Sequence, residues 1–363
     1  MKPPNPDIPC RRVLVIMPLL LGESVMATAA LYAIKQAHPD AHITVLVKRR
    51  LRPAMYGLDF VDRIVSIHKR KNRKKKNSAI RLGRRLSKSG FDTAIIFPLT
   101  FKAAALAAVA GIKRRIGYES EGRAVLLTDR LVTPRTKNEK NKSATIDGYL
   151  AFARYLGAKH PSPVMHQSLR PDATTRLNER LQQAGIDPAK QEMLLINPGG
   201  PTAERRWSPR RMAHLCEMLS ERYGLAPVVT GTPAERKVVE EMLERAKISI
   251  ADLPELGRDL HLLKAMVASS RMMVTNDTGP RYLAAAMGIP VLTLFGPTHP
   301  RGSGLSVSHE EQVISDGISI RAKSDPSFKG RASLDVLHAD EVFEHASELY
   351  ETTRRLSVTG QQS

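Results

Sequence analysis

The sequence predicts an α/β fold built from two parallel-sheet domains in tandem. Three observations predict it. Short runs of Val, Ile and Leu alternate with longer helical stretches in both halves, the pattern of βαβ units whose strands are covered on both faces. A chain of 363 residues is longer than one ordinary core supports. Between about His160 and Pro171 the alternation lapses, with Pro161, Pro163 and Pro171 close together, and it then restarts. The expected organisation is one domain over residues 1–160, a second over 172–338, and a C-terminal helix and tail over 339–363.

The elements follow in order. Arg12 to Met17 reads as a short buried strand, after which Pro18 and a Gly22-Glu23-Ser24 turn lead into a helix from Val25 to Ala37. His42 to Val47 is a β-branched strand, and Arg63 to Ile67 and Thr93 to Phe97 are two more. Phe101 to Ala110 is an alanine-rich helix ended by Gly111. Ile116-Gly117-Tyr118 opens a less regular stretch, and Ile146 to Leu156 is helical. In the second half, helices are expected over Thr174 to Ala184, Ser208-Pro209 to Arg222, Ala234 to Lys247, Leu260 to Ala268 and Ala339 to Arg355. Ser208 is the expected N-cap of its helix, with proline at the first helical position. Strands are expected over Met193 to Ile196, Pro227 to Thr230, Met272 to Val274 and Val291 to Phe295. Trp207, the one tryptophan, reads as a core anchor beneath the helix that follows it.

Composition narrows the class. Hydrophobic content of 42% and charged content of 25% suit a soluble globular protein. No apolar stretch approaches the roughly 18–20 residues a bilayer span requires, and Met1 to Pro9 lacks the apolar core of a signal peptide. Cys10 and Cys216 are the only cysteines, which supports neither a disulfide framework nor a zinc cluster and suits a reducing cytoplasm. The net charge of +20 is unevenly divided. Residues 1–150 hold 30 Lys and Arg against 11 Asp and Glu, whereas residues 151–363 hold 26 against 25. The first half is therefore expected to meet an anionic partner. Lys69, Arg70, Lys71, Arg73, Lys74, Lys75 and Lys76 form its densest run. An acidic membrane surface or phosphorylated glycan competes here with nucleic acid and with a merely solvated loop. Aromatics are only 5% and none interleaves with the run, so it has no base-stacking platform.

The most informative stretch runs from Val274 to Thr298. A strand ends, Asp277-Thr278-Gly279 forms a turn, and a small-residue helix with Ala284 to Ala286 leads through Gly288-Ile289-Pro290 to the next strand. That strand ends at Gly296-Pro297-Thr298. Asp277, Thr278 and Gly279 thus sit between a strand's carboxyl end and a helix amino end, where free N–H groups and the helix dipole favour an anion. A plain helix start would use the same residues. A second polar segment, Asn197-Pro198-Gly199-Gly200 through Thr202, Glu204, Arg205, Arg206 and Trp207, supplies cations and a glycine turn. Its plain alternative is a solvated loop before a helix. No Asp-x-Asp pair occurs anywhere in the chain.

These segments, with Val13 to Leu31 around Leu21-Gly22-Glu23, resemble glycosyltransferase family 9, the ADP-heptose:lipopolysaccharide heptosyltransferases. The likeness covers about residues 12 to 300. It implies a GT-B architecture, two Rossmann-like parallel-sheet domains facing a central cleft. The donor nucleotide-sugar is expected on the C-terminal domain and a phosphorylated glycolipid acceptor, of lipid A–core type, on the N-terminal one. Transfer is expected to invert the anomeric centre with no metal and no cofactor, the ADP-sugar being a substrate, at the inner face of a bacterial inner membrane.

Carried over residue by residue, the likeness makes Glu23 the catalytic base, where the family usually has Asp after Gly. The longer side chain adds about 1.5 Å of reach. A helix-start acid favoured by the dipole is the alternative. Donor binding is expected from Asn197, Gly199, Thr202, Arg205, Asp277, Thr278, Gly279, Tyr282, Gly296 and Thr298. Arg205 stands where the family has Lys, and Tyr282 where it has His in Asp-[Ser/Thr]-Gly-x-x-His. These departures leave open another nucleotide-sugar, or a relative that binds without turnover.

Overall fold

The computed structural model describes residues 10–67, 78–120, 122–132, 146–253, 259–296, 305, 309–314 and 334–358. The chain divides into two compact units, Met1–Ser168 and Leu169–Ser363.

The first unit is a parallel sheet of six strands. In chain order its elements are β1 (Arg12–Ile16), α1 (Leu21–Ala37), β2 (His42–Lys48), a 3-10 turn (Arg49–Met55), β3 (Arg63–Ile67), α2 (Ser78–Ser87), β4 (Thr93–Ile96), α3 (Phe101–Val109), β5 (Arg114–Tyr118), β6 (Asp129–Leu131) and α4 (Ile146–Tyr155). The strand order is β3-β2-β1-β4-β5-β6, with Val13 opposite both Ile43 and Thr93. The order reverses between β1 and β4, the kind of switch point where open α/β sheets leave a crevice at the strands' carboxyl ends. Val13, Leu14 and Val15 are fully buried, as central parallel strands covered on both faces must be.

α1 begins at Leu21, four residues before the expected Val25, so Gly22, Glu23 and Ser24 lie in its first turn and not in a preceding loop. The extended backbone at Leu20 sets the start, and an acid at the third helical position meets the positive end of the dipole. The region expected to be less regular contains β5 and β6. Buried Arg114 of β5 pairs with Asp129 of β6 at 3.4 Å, and Tyr155 donates to the same carboxylate at 2.6 Å. A charged pair stitches these short strands together, so they lack an apolar run that would announce them.

The second unit repeats the plan. Its elements are α5 (Ala173–Gln183), β7 (Met193–Asn197), α6 (Pro209–Tyr223), β8 (Ala226–Val229), α7 (Arg236–Arg245), β9 (Ala251–Asp252), α8 (Leu260–Ser269), β10 (Ser270–Asn276), α9 (Gly279–Ala286), β11 (Val291–Phe295), β12 (Glu310–Ile314) and α10 (Ala339–Val358). The order is β12-β11-β10-β7-β8-β9, all parallel. β9 and β12 are additions to the expected list, the first too short and the second too charged to read as strands. α10 packs on α6 as part of this unit, and Val342, Ala346 and Leu349 join its core. Pro209 does start α6, but the Ser208 side chain makes no capping bond.

Trp207 is fully buried in this core, its indole N–H donating to the Leu337 carbonyl at 3.0 Å. The reading as an anchor holds.

Candidate functional site

The strand order of the second sheet reverses where β7 and β10 lie side by side, Val274 opposite Ile196 and Thr275 opposite Asn197. Their carboxyl ends carry the two polar segments singled out in the sequence. Parallel pairing therefore joins Asn197 to Trp207 with Asn276 to Gly279, about eighty positions on, at a topological switch point.

Asn276 fastens the two loops. It is fully buried, and its amide donates to the carbonyls of Pro198 at 3.0 Å and Gly199 at 2.9 Å. Its oxygen accepts from the Trp207 backbone N–H at 3.2 Å. Asn197 shapes the first loop, its oxygen accepting from the Gly199 N–H at 3.1 Å, an Asx-type turn. Neither of the next two glycines has room for a side chain. A Cβ on Gly199 would lie 2.1 Å from Glu235 Oε1, and one on Gly200 2.8 Å from the Arg205 carbonyl oxygen. Glu235 is itself held by a reciprocal cap with Thr232, whose N–H donates to it at 2.8 Å.

The loop returns through the extended, exposed Thr202 into a short 3-10 turn, Ala203–Arg205. Arg205 Nη2 then reaches Asp277 Oδ2 at 2.8 Å. Its Nε is buried and has no hydrogen-bond partner among the described residues. The other oxygen of Asp277 accepts from Arg281 Nη1 at 3.2 Å. Arg281, fully buried one turn into α9, also makes a two-pronged pair with Glu310 on β12, one arm being Nη2 to Oε2 at 2.9 Å. Thr293 donates to that carboxylate at 2.6 Å and Gln312 at 2.9 Å. Phe295 lies 4.9 Å and Tyr282 5.3 Å from the Arg281 guanidinium carbon, ring centre to carbon. Burial of this cation is thus compensated by carboxylates and by aromatic faces.

Asp277 emerges chiefly as the residue that positions Arg205. Thr278 is the extended N-cap of α9, yet no side chain caps the helix. The Thr278 hydroxyl instead lies 3.2 Å from that of Thr275. Gly279 is the first helical residue and Pro280 has no N–H, and the Thr278 side chain makes no capping bond to the amides of this first turn. Gly296 directly follows β11, one strand over, at the same rim. The expected donor residue Thr298 and the run Lys69, Arg70, Lys71, Arg73, Lys74, Lys75 and Lys76 lie outside the described residues.

Glu23 belongs to the first unit, in the first turn of α1 after β1, at that sheet's own switch point. Burial raises its pKa, while backbone groups of Leu20 and Leu19 and the charge of Lys48 pull the other way. Lys48 is held nearby, its ammonium donating to the Leu19 carbonyl at 3.0 Å. A carboxylate with a raised pKa is the better proton acceptor. Among the described residues, no group of three or more His, Cys, Asp and Glu is placed to hold a metal ion.

Sequence reasoning missed Asn276, Arg281, Glu235 and Glu310. Arg281 had a signal, a lone charge in a helix of small residues, four positions after Asp277. Glu310 had none.

The profile of glycosyltransferase family 9 (heptosyltransferase) matches residues 79–327. Lipooligosaccharide heptosyltransferase 2 of Haemophilus influenzae is 24% identical over 300 residues, spanning 80% of this chain and 84% of that protein. Among solved structures, the glycosyl transferase family 9 protein of Veillonella parvula superposes with a TM-score of 0.81 at 20% identity, over 95% of this chain and 99% of that one. The ADP-heptose LPS heptosyltransferase II of Escherichia coli gives 0.77 at 20% identity, over 94% and 99%. The fold is GT-B, and with a family match across more than half of its length the chain belongs to glycosyltransferase family 9.

Proposed function

We propose that this protein transfers a heptose from ADP-heptose to the inner core of lipopolysaccharide, inverting the anomeric centre and using no metal or other cofactor. The observation that carries this reading is the meeting of Arg205, Asp277 and the uncapped start of α9 at the second sheet's switch point. That arrangement suits a diphosphate. The similar proteins named as heptosyltransferases supply the sugar and the acceptor.

In the proposed reaction Glu23 takes the proton of the acceptor hydroxyl. The acceptor oxygen bonds to the anomeric carbon as the bond from that carbon to the diphosphate oxygen breaks. ADP leaves with the charge, which Arg205 and the Gly279 end of α9 stabilise. Asp277 holds Arg205 in place and faces the donor, Asn197 and Gly199 shape the floor, and Thr202, Thr278, Tyr282, Gly296 and Thr298 complete the donor surround.

The acceptor is a phosphorylated glycolipid, met by the basic first half of the chain at the inner face of the bacterial inner membrane. The proposed association is peripheral and electrostatic, carried by the excess of Lys and Arg in residues 1–150; no helix among the described residues is long and apolar enough to cross a membrane.

The test is ADP release from ADP-heptose with a heptose-deficient core glycolipid as acceptor, beside calorimetric binding of ADP-, UDP- and GDP-sugars. Release with ADP-heptose alone among the donors upholds the reading. Glu23 and Tyr282 favour a second one, in which the fold serves a different donor or binds without turnover. Donor binding with no ADP release would establish that alternative.

A further inference from the structure

A pocket in the first unit lies apart from this chemistry. It opens beside β3, an edge strand of its sheet, and has a volume of about 420 Å³, within the roughly 300–1,000 Å³ typical of small-molecule sites. Four arginines line it. Arg49 and Arg52 come from the 3-10 turn after β2, Arg63 from the start of β3, and Arg85 from the last turn of α2. No carboxylate lines the pocket, and none of the four arginines is ion-paired among the described residues. Arg52 donates to the Ile64 carbonyl at 3.2 Å, which ties its guanidinium to the strand. Ser66 Oγ, also at the lining, is buried with no hydrogen-bond partner among the described residues.

Four converging like charges repel one another unless an anion answers them. Planar guanidinium forks match phosphate oxygens in pairs, and the unpartnered serine hydroxyl can donate to a further one. The pocket sits two strands from β1, whose carboxyl end leads to Glu23, so it is not the proton-transfer site. We propose that it binds a phosphate monoester and serves as an anchoring site separate from the reaction centre. This inference does not depend on which sugar is transferred.

Full-length protein is titrated with inorganic phosphate by calorimetry. In parallel it is co-sedimented with phosphatidylcholine vesicles with and without phosphatidic acid. Arg52→Gln/Arg85→Gln is compared with Arg50→Gln/Arg84→Gln, which removes the same charge from exposed neighbours that do not line the pocket. All four positions are exposed, so both variants are expected to fold. The pocket variant is expected to bind about tenfold more weakly, with the neighbour variant close to wild type. A selective loss on phosphatidic acid vesicles alone identifies a lipid headgroup, one on free phosphate alone a soluble ligand, and one on both a site that accepts either. Equal loss in the two variants, no loss in either, or no binding by the wild type overturns the proposal.

Discussion

Replacing Glu310 by alanine tests the frame behind the Asp277-Thr278-Gly279 turn. Arg281 is fully buried and faces two carboxylates, Asp277 at 3.2 Å and Glu310, whose side chain is only 1% exposed. Removing Glu310 leaves the guanidinium in a dry interior with half its counter-charge, and deprives Thr293 of its acceptor. Breaking a buried ion pair from one side costs about 3–5 kcal/mol. A unit of this size shifts its melting temperature by roughly 2–4 °C per kcal/mol, so a fall of about 6–20 °C is expected. Trp207, the sole tryptophan, is buried in this unit, and its fluorescence during a thermal melt reports the unit by itself. A second effect should accompany the first. With only Asp277 to answer it, Arg281 competes with Arg205 for that carboxylate, and calorimetry should show weaker ADP binding. Glu310→Gln, which keeps the shape and an acceptor oxygen, should fall between. Wild-type melting in Glu310→Ala would refute the idea that this pair supports the turn.

Glu23→Gln should lower transfer by about 10²–10⁴-fold while leaving ADP-sugar affinity unchanged, and an undiminished rate removes Glu23 from the mechanism. Burial holds the folded-state pKa of Glu23 above its ordinary value near 4.5. The stability linked to its neutral form is therefore present below that value and lost as pH rises through the raised one. Relative to wild type, Glu23→Gln should accordingly gain melting temperature as pH rises above the ordinary Glu23 value, and the opposite trend would show that burial is not the dominant influence. Gly200→Ala should weaken ADP binding more than Gly199→Ala. The new methyl at 200 meets the Arg205 backbone oxygen at 2.8 Å, whereas that at 199 meets the movable end of Glu235. Gly199→Ala should instead lose about 1 kcal/mol of stability as the Thr232–Glu235 cap is disturbed. Calorimetry and thermal melts separate the two, and the reverse ranking would contradict this picture of the loop.

The parts of the site that were legible share a cause. Asp277-Thr278-Gly279 reads as a turn between a strand and a helix because the apolar run before it and the small residues after it have different periods. β10 does end at Asn276, and α9 does begin at Gly279. α1 starts four residues before the expected Val25, a difference that arises because Leu21-Gly22-Glu23-Ser24 reads locally as a turn. Tertiary burial of Gly22 and Ser24 draws those residues into the helix. β5, β6 and β12 escaped because their buried polar groups, Arg114 with Asp129 and Arg281 with Glu310, are satisfied by partners distant in sequence. A charged residue in a window looks solvated until its counter-charge is in place.

By itself the sequence determined the class of fold, the alternation that builds it, the family resemblance and the position of the Asp277-Thr278-Gly279 turn. All of these rest on local pattern, and local pattern is carried by neighbours in the chain. Only the tertiary structure decided that β7 and β10 lie side by side, so that Asn276 ties down the glycine loop and Asp277 holds Arg205. Only it decided that Arg281 is answered by Glu310. The reason is physical: hydrogen bonds and ion pairs act over about 3 Å, whatever the number of residues between the partners, and the strand order alone sets which distant residues come within that reach.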